Sequence, residues 1–366
     1  MHLRQVWRHF DYWLFGAVII LCIFGVAMVR SAIAGSPGLE GLDRRQLLYV
    51  GIGLGVILIT AMIDYRVWAS LARLMYWVAV IALVGIFVYG TAAFGSARWL
   101  DTGAFFIQPS ELVKVIVIIV LANYFASTMD QERNLRWIIS SLILVGFIVI
   151  WILLQPNLST SIVIMVLWFS MLWLSGLPPK YLALMALGAV VMGLAAFPFL
   201  ENYQQQRILN FVFPDPNARH GSTYNVEQAL ITIGSGGWFG MGYGHGTQVQ
   251  LRYLKVRHTD FIFSAMAEEF GFFGTVLIIG LIVFVILRCL RAARLAADPF
   301  GGLIAYGFAV LLFFQTIVNI GVNMKVIPVT GLTLPFISYG GSSLLSLVLG
   351  IGLVESVIAH HKSLDF

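Results

Sequence analysis

The sequence predicts an all-α polytopic membrane protein with ten transmembrane helices and one large extracytoplasmic loop between helices seven and eight. Three observations carry this. Only 11% of the 366 residues are charged and 60% are apolar, whereas soluble domains carry roughly a quarter charged residues. The uncharged stretches are close to the ~20 residues a helix needs to cross a bilayer core. The loop cations follow the positive-inside pattern. This composition excludes a soluble enzyme, a disordered chain and a nucleic-acid binder. The net charge of +5 comes from 22 Lys and Arg against 17 acids, too few for a polyphosphate-binding surface.

Taken in order, the helices are predicted near 13–33, 46–64, 70–91, 109–128, 137–155, 158–176, 180–199, 261–288, 301–324 and 337–360, as one integral-membrane domain over 1–366. The first is too long, and too plainly followed by others, for a cleaved signal peptide. Residues 137–179 lack any charge and are split into two spans at Gln155-Pro156-Asn157, because Pro breaks a helix and Asn favours a turn. The one long connection is 200–260. With the N-terminus inside, cytoplasmic segments hold Arg4, Arg8, Arg66, Arg73, Arg133, Arg136, Lys180, Arg288, Arg291, Arg294 and Lys362. The opposite short loops hold Arg30, Arg44, Arg45, Arg98 and Lys325. Both termini are therefore expected in the cytoplasm and the long loop outside, with the Arg44–Arg45 pair opposing. Cys22 and Cys289 fall in or beside spans without ligand spacing and read as apolar packing.

Some charges sit where a bilayer would exclude them. Glu111 and Lys114 lie in the first turns of helix four, after Gln108-Pro109-Ser110. Pro suits a helix start and an early Glu suits its dipole, but a lysine at this depth needs a partner or water. Residues i and i+3 share a face, so the two form either a functional polar cavity or a structural pair. Glu268 and Glu269 open helix eight, and ~100° between neighbours turns at least one inward. Either they support a site or they complement a helix end. Glu355 reads as an interfacial charge near the end of helix ten.

The long loop holds most of the remaining chemistry. Glycine occupies seven of the thirteen positions 234–246. A phosphate cradle of bare N–H groups is one reading, although no Walker or dinucleotide pattern is present; a flexible or tightly turned re-entrant loop is the other. Arg252, Lys255 and Arg257 then precede His258-Thr259-Asp260 at the start of helix eight. Asp260 is either a helix cap or a general base beside cations that hold a polyanionic substrate.

Gly95-Ser96-Ala97-Arg98-Trp99-Leu100-Asp101, Gln108-Pro109-Ser110-Glu111 with Lys114, Ile233-Gly234-Ser235-Gly236-Gly237, His258-Thr259-Asp260-Phe261-Ile262-Phe263 with Glu268-Glu269, and Leu334-Pro335-Phe336-Ile337-Ser338-Tyr339-Gly340-Gly341-Ser342 together resemble the SEDS family (shape, elongation, division and sporulation). The motifs follow in family order along nearly the whole chain, and the short termini and 244–248 look more like the elongation branch than the division branch. The resemblance implies a ten-helix peptidoglycan glycosyltransferase of the bacterial inner membrane that polymerises lipid II outside. It implies that Asp260 is the catalytic carboxylate, that Glu111 and Lys114 are site residues, and that Arg45 and Arg207 are functional arginines. Arg98, Arg207, Arg252, Lys255 and Arg257, with His258 and Thr259 of the motif, are candidates to bind the substrates, lipid II and the undecaprenyl-pyrophosphate-linked glycan. A divalent cation, Mg or Mn, suits the leaving group, no acid cluster marks a dedicated cage, and no nucleotide is needed. A separate class B penicillin-binding protein, a transpeptidase, is the implied partner within the lipid membrane.

Two departures stand out. Lys255-Val256-Arg257 replaces the usual Pro-Glu before His258, which puts a role for that glutamate in doubt. Asn157 stands where the family has Asp, and can position groups by hydrogen bonding without acting as an anion. A lipid II flippase and a non-catalytic scaffold for a transpeptidase are the competing functions.

Overall fold

The computed structural model describes residues 7–89, 100–101, 106–214 and 221–361. Its helices are α1 (Tyr12–Ile33), α2 (Leu42–Met62), α3 (Arg66–Tyr89), α4 (Pro109–Ser127), α5 (Leu135–Leu153), α6 (Leu158–Leu174), α7 (Pro179–Ala196), α8 (Asn202–Val212), α9 (Ser222–Ser235), α10 (Thr247–Gln250), α11 (Ile262–Leu295), α12 (Pro299–Asn323) and α13 (Gly341–Ala359). A two-residue antiparallel pair, Leu100–Asp101 with Phe106–Ile107, precedes α4. Among the described residues eight helices are long and apolar enough to cross a membrane, while α6 and α7 are apolar but shorter. The chain is a helical multi-pass membrane protein.

The starts of the helices follow local chemistry. The Asp11 carboxylate accepts the Trp13 and Leu14 N–H groups at 3.1 Å, Asn134 caps α5, Asn157 caps α6, and Asp298 caps α12 just before Pro299. Each satisfies N–H groups that no helix can satisfy for itself. Helices α4, α12 and α13 form the centre of the bundle. The outer helices present bare apolar side chains: Trp13, Leu187 and Leu277 are 75%, 63% and 73% exposed, which only a lipid surround makes tolerable.

Three expectations change. Helix eight runs to Leu295 but is broken at Gly271, whose φ of 66° and ψ of −169° are not helical. Residues 337–340 belong to a turn, and α13 begins at Gly341. Glu355 is fully buried and accepts the Asp11 backbone N–H at 2.9 Å, so it is an interior group tying α1 to α13 rather than an interfacial charge. The Asp11 carboxylate in turn pairs with Arg288 of α11. Arg4, Arg98 and Lys362 lie outside the described residues.

Candidate active site

The break at Gly271 explains the glycine-rich segment. Interrupting a helix strands backbone groups that lipid cannot satisfy. Here the strand of glycines supplies partners: Phe272 N–H donates to the Gly237 carbonyl at 2.9 Å and Phe273 N–H to that of Trp238 at 3.2 Å, while Met241 and Gly242 donate to the Glu268 and Glu269 carbonyls at 2.9 Å each. Backbone meets backbone so closely that a Cβ on Gly236, Gly240 or Gly271 would collide with the facing chain. The segment is thus a tightly turned, closely packed support. Glu268, fully buried, accepts the Gln248 and Val249 N–H groups at 2.8 and 3.2 Å and leaves no room for a side chain at Gly246. Glu269 accepts from the Ser31 hydroxyl. Both glutamates therefore brace the segment that leads into Asp260.

Asp260 is not the cap of α11. Phe261 occupies that position, and no side chain caps the helix. Instead the Asp260 backbone carbonyl is gripped by the amides of Asn319 (3.1 Å) and Asn323 (2.9 Å), one turn apart on α12. The Asn323 side-chain oxygen also accepts from Ser264 at 2.6 Å. On its other side the motif is pinned to the turn before α13: Ser338 donates to the Thr259 carbonyl at 2.8 Å and the Tyr339 N–H to the His258 carbonyl at 2.9 Å. That turn is held by the buried Gln46 amide, 3.3 Å from the Ser338 carbonyl. With its main chain so engaged, the Asp260 carboxyl lies beside Gly331, 3.8 Å from where a Cβ there would stand.

The carboxyl is partly open to solvent yet densely surrounded. Burial raises its pKa to about 6, and the nearby Arg207 guanidinium and the Thr259 hydroxyl partly offset that rise. Arg207 projects from α8, lies over the Tyr203 ring, and approaches the Val329 carbonyl at 3.4 Å. Burial, with Arg257 adjacent, lowers the pKa of His258, so its imidazole is neutral near pH 7.

The other cations divide. Arg257 is buried and donates to the Ala32 carbonyl (2.7 Å), the Leu254 carbonyl (3.2 Å) and the Ser36 hydroxyl (2.7 Å). Arg252 donates to the Gly35 carbonyl. Both clip the loop to the end of α1, where cations suit the negative end of the helix dipole. Lys255 and Arg45 are exposed, and Arg45 lies beside Tyr339.

Glu111 and Lys114 form a buried pair, Lys114 Nζ donating at 2.8 Å from a fully enclosed side chain. Next to it, Gln108 and Asn157 donate to the Ser110 hydroxyl at 3.1 and 3.4 Å, the Gln108 N–H meets Ser342 at 3.0 Å, and Ser159 donates to the Thr330 carbonyl. These bonds draw the N-termini of α4, α6 and α13 to the same 330–342 segment that supports Asp260, before α11. Four positive helix ends then converge on one region, which favours an anionic ligand beside them. Removing Lys114 as Lys114→Met is expected to destabilise the protein by about 3–5 kcal/mol, because Glu111 would stay buried and unpaired. The double variant with Glu111→Gln is expected to recover most of that loss. Thermal unfolding of both in detergent measures the loss and its recovery.

Sequence reasoning missed Asn319, Asn323 and Gln46. The i, i+4 amides within an otherwise apolar helix were the available signal. Among the described residues no three His, Cys, Asp or Glu side chains gather as a metal-binding group.

Residues 12–363 match the family model FTSW_RODA_SPOVE, described as "Cell cycle protein". The chain is 34% identical over 362 residues to the peptidoglycan glycosyltransferase MrdB of Escherichia coli K12, covering 98% of this chain and 95% of that protein. It is 36% identical over 358 residues to the probable peptidoglycan glycosyltransferase FtsW of Hydrogenovibrio crunogenus, covering 95% and 91%. Among solved structures it superposes with TM-score 0.82 and 29% identity on a chain from work on structural coordination of polymerization and crosslinking by a peptidoglycan synthase complex, covering 97% and 99%. It superposes on the rod shape determining protein RodA of Thermus thermophilus with TM-score 0.71 and 30% identity, covering 97% and 98%.

Proposed function

Since the chain belongs to the SEDS family of FtsW, RodA and SpoVE, we propose that it is a peptidoglycan glycosyltransferase that polymerises lipid II at the outer face of the cytoplasmic membrane during cell elongation. Both termini are then cytoplasmic. The observation that carries the chemistry is Asp260: a carboxyl raised to about 6, in a main chain clamped by Asn319 and Asn323. A base is most effective when its pKa lies near the working pH, since it is then ionised and still proton-seeking. Asp260 removes the proton from the acceptor's sugar hydroxyl. That oxygen attacks the donor's anomeric carbon, the new glycosidic bond forms, and the bond to undecaprenyl pyrophosphate breaks, its electron pair leaving with the pyrophosphate. Arg207, with the exposed Arg45 and Lys255, holds the leaving anion through charge-assisted hydrogen bonds. Arg252 and Arg257 support the loop that carries the base. A class B penicillin-binding protein joins the chain to crosslink the product, which is supported by the peptidoglycan synthase complex among the structural relatives.

The test is polymerisation of defined lipid II by the purified chain, with and without a transpeptidase partner, resolved as glycan length on gels. Long glycans are expected from the wild type. Transfer of labelled lipid II across vesicles without any extension would instead identify a flippase, and neither activity would identify a scaffold.

A further inference from the structure

The bundle end opposite Asp260 holds a cavity of about 700 Å³ between the ends of α4, α6 and α11 and the start of α12. Its walls are mainly apolar, with Leu174, Leu290, Leu303 and Tyr306 among them, and no acid lines it; Arg133, Arg291 and Arg294 form its charged part. Arg133 is already engaged. It donates to the carbonyls of Thr128 (2.7 Å), Met129 (3.1 Å) and Ser175 (3.0 Å) and lies 4.5 Å over the Trp137 ring. Those carbonyls are the negative ends of α4 and α6, so Arg133 cancels the field that would repel an anion there. Arg291 and Arg294 are exposed, share one face of α11 at i and i+3, and have no ion-pair or hydrogen-bond partner among the described residues. The nearest acid in sequence, Asp298, is occupied by Tyr65, Arg66 and the Gly301 N–H.

We propose that this cavity is a binding site for an anionic membrane phospholipid, with its phosphate between Arg291 and Arg294 and its glycerol and upper acyl chain against the apolar walls. Charge complementarity selects this occupant. Basic pockets between transmembrane helices take anionic headgroups, and the volume lies in the range of sites that enclose a small ligand, roughly 300–1,000 Å³. A zwitterionic lipid would set its own headgroup cation beside these arginines, in a lining that holds no acid to receive it, and free phosphate would leave the apolar walls uncovered.

The full-length chain in detergent is given equal amounts of phosphatidylglycerol and phosphatidylcholine with the same acyl chains, and retained lipid is counted by native mass spectrometry. Phosphatidylglycerol is expected to be retained preferentially. An arginine beside an anionic surface is worth about 5-fold in affinity, so Arg291→Gln with Arg294→Gln is expected to weaken phosphatidylglycerol retention by about 30-fold. Because both side chains are exposed, unfolding temperature and polymerisation are expected to stay unchanged. Arg136→Gln, which removes an exposed cation that does not line the cavity, is expected to leave the preference intact. Equal retention of the two lipids by the wild type, full retention by the double variant, equal loss with Arg136→Gln, or displacement by inorganic phosphate alone would each overturn the proposal.

Discussion

Replacing Asp260 with Ala is expected to lower glycan polymerisation by about 10²–10⁴-fold, the range that a positioned general base contributes. The fold is expected to survive. The two bonds that anchor Asp260 to α12 use its backbone carbonyl, which Asn319 and Asn323 grip, and that carbonyl remains in the variant. Asp260→Asn, which preserves shape and loses the base, is expected to match the Ala variant. Unfolding temperatures near that of the wild type, together with the loss of product on gels, separate lost chemistry from lost structure. Full polymerisation by Asp260→Ala would refute the assignment. The pH dependence has a definite sign. The active form is the carboxylate, and burial places its pKa at about 6, so the rate falls as pH drops through about 6 rather than near 4. The positive charge of Arg207 holds the pKa down. Arg207→Met is therefore expected to move the acid limb to higher pH, a shift that kcat/KM profiles of the two proteins measure.

Gly271→Ala is expected to be the most damaging change away from the substrate. At φ 66° and ψ −169° the backbone lies in a region essentially restricted to glycine, costing other residues about 1–3 kcal/mol. The added Cβ would also stand 2.6 Å from the Phe239 backbone, a contact that main chain cannot yield without moving. The outcome predicted is a loss of roughly 3 kcal/mol or more of stability. Relief by straightening α11 would break the bonds from Phe272 and Phe273 to the glycine segment and turn residues 262–270, with Asp260 at their head, out of place. Polymerisation is expected to fall with the unfolding temperature. Gly280 serves as the control, since nothing lies within 4 Å of a Cβ added there, and Gly280→Ala is expected to be neutral or mildly stabilising. Wild-type stability and activity in Gly271→Ala would show that the break does not organise the site.

The readable part of the site was its chemistry. Lys114 and Glu111 stand out because a charged pair inside an apolar run has no cheap explanation, and the structure joins them at 2.8 Å. Asp260 stands out because it follows a cluster of cations at a helix start. The same cluster misled where side-chain direction decides. Arg252 and Arg257 share its sequence position with Lys255, yet their donors turn back to the end of α1, more than two hundred residues earlier. Their role depends on carbonyls at Ala32 and Gly35 that no local pattern reveals. Glu355 likewise looked like an interfacial charge because its burial depends on Asp11, at the far end of the chain.

By itself the sequence determined the membrane class, the order of the apolar helices and the few charges inside or beside them, because hydropathy and charge are local sums and a bilayer punishes each stranded charge on the spot. Only the tertiary structure decided which faces meet, where α11 breaks, and why Asn319, Asn323 and Gln46 matter. In lipid the outside of a helix is as apolar as its packed face, so the periodicity that marks a buried face in water is largely erased. The backbone bonds that hold Asp260 in place run between segments distant in sequence, and only folding brings those donors and acceptors together.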